Sequence, residues 1–294
     1  MRALIGIVTA LLLAAPAAAQ TVTKIGLSAP LTGPDAAFGQ GMRLGAEQAV
    51  ADLNRAAGAS GRKLALVVAD DAGDAKQGVA VARRFAADGI RLVVGPLESS
   101  VAAATAAIYD DAGIVVVTPG ASWAALTRRG YATLFRIVAG DAQQGEAAGR
   151  YLLAHEAGRR VAIVHDRTTF GRGLADAVSA TLASAAGEGT VMTVPAEPAR
   201  LPEVKGRPPR TAEADALAGP TYAAVEVLAQ AVDRAKSRDG RTVAAALRGA
   251  PFRTIQGEIA FDAQGDPSSG AVALKVWKRT PDGRLDYAGN ETAP

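Results

Sequence analysis

Apolar residues recur along this chain in two alternating patterns. Short, nearly continuous runs at 24–29 (KIGLSA), 64–69 (LALVVA), 91–95 (RLVVG) and 114–118 (IVVVT) read as strands, and runs of this density suit strands buried on both faces. Between them lie stretches of helical period. In 41–56, Met42, Ala46, Ala49, Val50 and Leu53 fall on one face. Residues 77–87 and 100–111 read as two further helices, and 30–39 as a loop. Strand and helix in alternation predict an α/β fold with a parallel, doubly wound sheet.

A second unit follows. Residues 141–156 read as a helix with Gln144, Ala148, Tyr151 and Leu152 along one side, 161–164 as a strand, 165–170 as a loop and 173–185 as a helix. The pattern then falters. A short strand is expected at 187–193, and 195–216 carries five prolines with little periodicity. Helices return at 222–236, where Val225, Leu228, Ala229 and Val232 align, and at 242–248. Strands are expected at 255–261 and 271–278, with a turn at 262–265 between them.

The N-terminus changes the picture. Arg2, an apolar run from Ala3 to Ala15 and the small residues Ala17-Ala18-Ala19 before Gln20 have the layout of a cleavable secretory signal peptide, residues 1–19. Cleavage removes Arg2 and takes the formal charge from +3 to +2. The run is too short to span a bilayer. An exported chain can form disulfides, yet this one has no cysteine. It therefore also lacks the cysteine that a lipid anchor would need, so a free periplasmic protein without a membrane anchor is expected.

Several chemistries find no support. The basic stretch 205–210 (KGRPPR) lacks the dense stripe of cations and aromatics that a nucleic-acid surface needs. His155 and His165 are the only histidines and have neither metal-ligand spacing nor a cysteine partner. Asp70, Asp71 and Asp74 lack the spacing of a calcium loop and read as turn and cap residues. No G-x-S-x-G elbow is present. Gly39-Gln-Gly41 and Gly171-Arg-Gly173 depart from the dinucleotide fingerprint. No nucleophile–base pair, metal set or cofactor site can be assembled, so the chain does not read as an enzyme.

The strand-end loops are more informative, because ligands of open α/β sheets sit outside the carboxyl ends of the strands. Pro96-Leu-Glu-Ser-Ser100 follows the third strand and opens a helix; Pro119-Gly-Ala-Ser122 follows the fourth. Ser99 or Ser100 as an N-cap explains the first loop on its own. Both loops together would instead clamp a zwitterion. Ser99 or Ser100 would stand at a helix N-terminus suited to a carboxylate, Ser122 would donate its hydroxyl, and the Gly120 carbonyl would accept from an ammonium. Phe38, Trp123 and Phe170 flank these loops, as pocket walls or as ordinary core.

Longer stretches resemble a known family. They are Pro30-Leu-Thr-Gly-Pro34 with Phe38-Gly39, Gly45-Ala-Glu-Gln-Ala-Val-Ala-Asp52, Asp70-Asp71 with Lys76-Gln77, and Gly95-Pro-Leu-Glu-Ser-Ser100. Thr118-Pro-Gly-Ala-Ser122, Leu126-Thr127, Arg129-Gly-Tyr131, Phe135-Arg136, His165-Asp166 with Phe170-Gly171, Tyr222-Ala-Ala-Val225, Phe261-Asp262 and Gly265-Asp266 continue the series. Together they resemble the periplasmic leucine/isoleucine/valine-binding proteins of branched-chain amino-acid ABC importers, which have the type I periplasmic-binding-protein fold. The resemblance implies two α/β lobes, each with a parallel sheet: lobe 1 from 20–139 and 220–270, lobe 2 from 140–219 and 271–294. It implies that Ser99 and Ser122 bind a ligand carboxylate, that Gly120 helps hold the ammonium beside Ala121, and that Phe38 and Phe170 stand next to the ligand. It also implies a monomer that delivers a small neutral amino acid, or a related amide, to a membrane permease. The chain departs from the family near 186–187, where about two strand–helix units of lobe 2 are missing. They would carry a tyrosine loop and the ammonium's acidic partner, and Glu188, Glu197 and Glu203 do not match that position. A shortened, weakly binding or non-binding relative of the same fold is the alternative implied.

Overall fold

The computed structural model describes residues 22–58, 61–157, 161–184 and 212–268, with a few positions between 272 and 292. The signal peptide, the expected 187–193 strand, most of the proline-rich stretch, the basic stretch 205–210 and the acids Glu188, Glu197 and Glu203 lie outside the described residues.

Five strands form one parallel sheet in the order β2-β1-β3-β4-β5. They are β1 (Val22–Ala29), β2 (Lys63–Asp70), β3 (Leu92–Val94), β4 (Val115–Thr118) and β5 (Leu134–Arg136). The first four are the apolar runs of the sequence. Side chains alternate between the faces of a sheet, and that alternation sorts two cores. Ile25, Leu27, Leu92, Val94, Val115 and Val117 face one way, against Met42, Ala46 and Ala49 of α1 (Ala36–Ala57). The same core takes in Val225, Leu228 and Val232 of α6 (Ala212–Ala235), and Val243 and Leu247 of α7 (Gly240–Leu247). Val93 and Val116 face the other way, against Val81 and Phe85 of α2 (Ala75–Ala87) and Ala102, Ala106 and Tyr109 of α3 (Ser99–Asp111).

The α1–α6 packing depends on two glycines. A Cβ at Gly41 would lie 2.0 Å from the Ala214 carbonyl oxygen, and one at Gly45 would lie 2.1 Å from that of Ala218. The two backbones therefore touch where side chains would hold them apart. Glycine also explains why the sequence suggested a start at 41, whereas α1 begins at Ala36. Gly39 and Gly41 are poor helix formers retained for close approach, and part of the expected 30–39 loop is helix. The dinucleotide-like glycines Gly39 and Gly41 thus lie within a helix, as do Gly171 and Gly173.

The second unit differs more. α4 (Asp141–His155) and α5 (Thr169–Ser184) pack through Ala148, Leu152, Val178 and Leu182, joined by Leu274. Residues 161–164, expected as a strand, adopt no strand, and Val164 is 84% exposed. A strand exists through its ladder to a neighbour, and no parallel sheet lies beside this segment among the described residues. The expected second-lobe parallel sheet is thus not found there. The described strands beyond 268 are two-residue antiparallel pairs, β8 (Leu274–Lys275) with β11 (Glu291–Thr292) and β9 (Lys278–Arg279) with β10 (Leu285–Asp286). The single strand expected at 255–261 is a hairpin, β6 (Phe252–Thr254) and β7 (Gly257–Ile259), turning at Ile255 and Gln256. The 262–265 turn is present, held by Asp262 Oδ1, which accepts from Gln264 N and Asp266 N.

Candidate functional site

The strand order reverses between β1 and β3, and ligands of doubly wound sheets sit at such a switch point. The loop after β1 is tied to the loop after β2 by Asp70, whose carboxylate accepts from Leu31 N, Thr32 N, the Thr32 hydroxyl and Ala72 N. Asp71 accepts from the Ser28 hydroxyl at 2.6 Å and from Gly73 N. Asp74 caps α2 through Lys76 N and Gln77 N. The three aspartates serve turns and a cap. Among the described residues no group of three or more His, Cys, Asp or Glu side chains is arranged to hold a metal ion.

The two serine loops come together. Ser99 is the first residue of α3, and Glu98, not a serine, occupies the N-cap position without capping through its side chain. The Ser99 hydroxyl, 2% exposed, instead accepts from Trp123 N at 3.3 Å, joining the loop after β3 to the loop after β4. Thr118 makes a second tie. Its hydroxyl donates to the Pro96 carbonyl at 2.6 Å and accepts from Gly120 N and Ala121 N. Ala121 and Ser122 are buried, and Gly120 is half-buried under Leu97. Phe38 lies in the first turn of α1 against the sheet core, and Phe170 in the first turn of α5, both half-buried.

Residues whose importance the sequence did not disclose surround this pair. Arg136, 2% exposed, donates to the carbonyls of Ser122 at 2.7 Å and Trp123 at 2.9 Å and to the Thr127 hydroxyl. Its guanidinium also forms a two-pronged ion pair with Asp266. Asp141 opens α4, is fully buried, and neither of its carboxylate oxygens nor the Ser122 hydroxyl makes a well-formed hydrogen bond. Burial pushes the Asp141 carboxyl up, opposed by the adjacent Ser122 hydroxyl and the Arg136 charge. α5 closes over it: a Cβ at Gly173 would lie 2.5 Å from Asp141 Oδ2 and 3.0 Å from the Trp123 ring. A glycine four residues into α5 is the one sequence signal that could have suggested so close a contact.

Glu98 is the most perturbed carboxyl of the cleft. Burial, together with repulsion from Asp35, Asp71 and, in the loop before α5, Asp166, raises it to about 7. A folded value above the ordinary one means the folded protein holds a proton that the unfolded chain releases. The resulting stabilisation is complete below about pH 4.5 and is lost as pH rises through about 7. Melting temperature should therefore fall from about pH 5 to pH 8, and Glu98→Gln should flatten that slope. A slope unchanged in the variant would assign it to other groups.

A doubly wound sheet with polar, tied loops on either side of its switch point defines a binding architecture. A profile described as "periplasmic binding protein" matches residues 22–204, and the chain belongs to this family. It is 30% identical to the "Leu/Ile/Val-binding protein homolog 1" of Brucella melitensis, over 96% of this chain and 97% of that one. That alignment spans 361 positions, more than the 294 residues here, so the relative has residues that this chain lacks. An ABC transporter substrate-binding protein of Desulfitobacterium hafniense in complex with Leu is 26% identical with a TM-score of 0.71, covering 91% of this chain and 100% of that one. A periplasmic binding protein type 1 of Bordetella pertussis shares the fold with a TM-score of 0.74 at 18% identity, over 91% and 100%. The family is one of periplasmic solute binders and not of enzymes. Among the described residues no helix is long and apolar enough to cross a membrane.

Proposed function

We propose that this chain captures a small neutral amino acid, branched-chain or otherwise aliphatic, or a related amide, and presents it to the permease of an ABC importer. The observation that carries this reading is the pair of serine loops tied together at the strand ends, in a chain whose relatives are described as Leu/Ile/Val-binding. Ser99 and Ser122 would meet the ligand carboxylate with the N-terminus of α3 behind them. The Gly120 carbonyl would accept from the ammonium beside Ala121, and Phe38 and Phe170 would wall the side chain. Residues 1–19 would direct export. The second lobe, 140–219 with 271–294, would close on the ligand, because a ligand that binds the closed form better shifts the population toward it. No covalent step is involved.

A second reading, a relative of the same fold with weak or no ligand binding, is favoured by the missing second-unit sheet among the described residues and by the alignment that outspans the chain. A thermal-shift screen of the exported chain, from Gln20 onward, against the common amino acids separates the two. A cooperative melt raised by one chemical class supports capture, the gain being about 2.7 kcal/mol at 100 times the dissociation constant. A cooperative melt that no amino acid moves supports the second reading.

The serines then test the site. Ser122→Ala should weaken ligand binding by about 1–3 kcal/mol and leave the ligand-free melt in place, since its hydroxyl makes no well-formed hydrogen bond. Ser99→Ala should weaken binding and also lower ligand-free stability by about 1 kcal/mol, because Trp123 N loses its acceptor. Unchanged affinity in both variants would move the site elsewhere.

A further inference from the structure

Where the α4–α5 pair meets the sheet and its loops, two carboxyls are withdrawn from water without being neutralised. The first is Asp141. It is fully buried, and neither of its oxygens makes a well-formed hydrogen bond. The backbone of α5 lies directly over it, since a Cβ at Gly173 would stand 2.5 Å from Asp141 Oδ2. On its other side is the loop after β4, where Asp141 N donates to the Ser122 carbonyl and the Ser122 hydroxyl is itself without a partner. Arg136 is the neighbouring cation, but a guanidinium has five N–H donors, and these are committed to Asp266, to the carbonyls of Ser122 and Trp123 and to the Thr127 hydroxyl. A carboxyl shut away from water with no donor of its own is favoured as the neutral acid. The second is Glu98, half-buried at the start of α3. Asp35 and Asp71 gather with it round Gly73: Gly73 N donates to Asp71, and a Cβ there would meet Glu98 Cγ at 3.6 Å and Asp35 Oδ2 at 3.7 Å. From the loop before α5, Asp166 adds its repulsion to Glu98. His165 and Arg167 flank Asp166; all three are exposed, and His165 offsets part of the Asp166 charge.

We infer that the α4–α5 pair is a proton-linked lid, which docks on the sheet loops and buries Ser122 while Asp141 and Glu98 hold protons, and swings away as they release them. Separation lets water reach Asp141 and takes Asp166 away from Glu98, so both carboxyls return toward their ordinary values. The docked state thus holds protons that the undocked state gives up, and the state with more protons gains as pH falls. Burial is the larger cause at both positions, raising the Asp141 carboxyl and, with the neighbouring acids, taking Glu98 to about 7. The lid therefore loosens as pH rises through about 7. With Ser99 2% and Ser122 1% exposed, the docked chain is shut without any ligand, and undocking comes before access to either hydroxyl. The inference concerns closure of the chain on itself, and its test needs no ligand, so it does not rest on the amino-acid reading.

The chain has no cysteine, so spin labels can be placed at will. Ala80→Cys on α2 and Ala180→Cys on α5, both exposed, are labelled in the full exported chain, and pulsed electron paramagnetic resonance reads the distance between them from about pH 5 to about pH 8. The ratio of docked to separated molecules should fall at least about tenfold over that range, the change that one unit of pKa coupling gives. Glu98→Gln and Asp141→Asn, which keep the side-chain shapes and remove the titrating groups, should each reduce this pH dependence, and the double variant should abolish it. Glu98→Gln, at a half-buried position, keeps the test decisive should Asp141→Asn fail to fold. A single distance that does not change with pH overturns the proposal, and so does a pH dependence of native size in Glu98→Gln and in the double variant. Circular dichroism on the same samples separates lid motion from unfolding: helix content should hold steady, and helix loss in step with the separation would also overturn the proposal.

Discussion

Arg136→Met is expected to cost about 3 kcal/mol or more of folding free energy, read as a lowered urea midpoint with unchanged slope. The magnitude follows from what the guanidinium leaves behind. It is 2% exposed and satisfies two loop carbonyls, one hydroxyl and the Asp266 carboxylate at once. Removing one partner of a buried pair strands the rest without solvent. Asp266 is 27% exposed, so water recovers part of that loss, which places the estimate at the lower end for such sites. Asp266→Asn should cost less, about 1–2 kcal/mol, because the amide oxygen still accepts. A loss under about 1 kcal/mol for Arg136→Met would mean that the Ser122–Trp123 loop holds its shape without the arginine. Ligand affinity should fall in the same variant, since the carbonyls it holds belong to the loop that carries the Ser122 hydroxyl.

Gly45→Val should be more damaging, about 4 kcal/mol or beyond. Even the first added carbon would sit 2.1 Å from the Ala218 carbonyl oxygen and 3.0 Å from its carbon. These are backbone atoms with no rotamer to retreat into, so α1 and α6 must separate along the whole seam. A control is available at Gly249, where an added Cβ meets only the Ala246 carbonyl oxygen at an ordinary 3.7 Å. Gly249→Ala should change stability by no more than about 0.5 kcal/mol. Denaturant titration of both variants checks the pair. A near-neutral Gly45→Val would require the two helices to be further apart than described.

The first sheet was legible because its strands advertise themselves by density. Val93 and Val94 must each be apolar when both faces are covered, and the pattern is then unmistakable. β5 was not legible for the opposite reason. Three residues long and ending in Arg136, it reads as a polar break, and only the five hydrogen bonds of that arginine explain its place in a core. The first half of α6 escaped because Gly219 and Pro220 argue against helix, yet the helix runs through Pro220, where tertiary packing overrides propensity. The 161–164 strand failed because apolarity supplies only half of a strand, the ladder partner being the other half. At the site, the serine loops followed from strand-end logic, whereas the capping role read for Ser99 or Ser100 did not hold, Glu98 occupying that position. Glu98 and Asp141 were not visible as unusual, because nothing in their own neighbourhood in the sequence buries them. Their shifts come first from burial, with repulsion on Glu98 from Asp35, Asp71 and Asp166 and with α5 closing over Asp141, all brought in from elsewhere in the chain.

The way the sheet is covered has a consequence in time. All five of its strands have been synthesised once residue 136 is made, but the face formed by Ile25, Leu27, Val94 and Val117 is covered in part by α6 and α7, which end at Leu247. The nascent chain must carry a half-bare sheet for more than a hundred residues of elongation before its lid exists. Contacts so distant in sequence are slow to form, because the loop between them must close first. This core therefore cannot be completed until most of the chain has been synthesised.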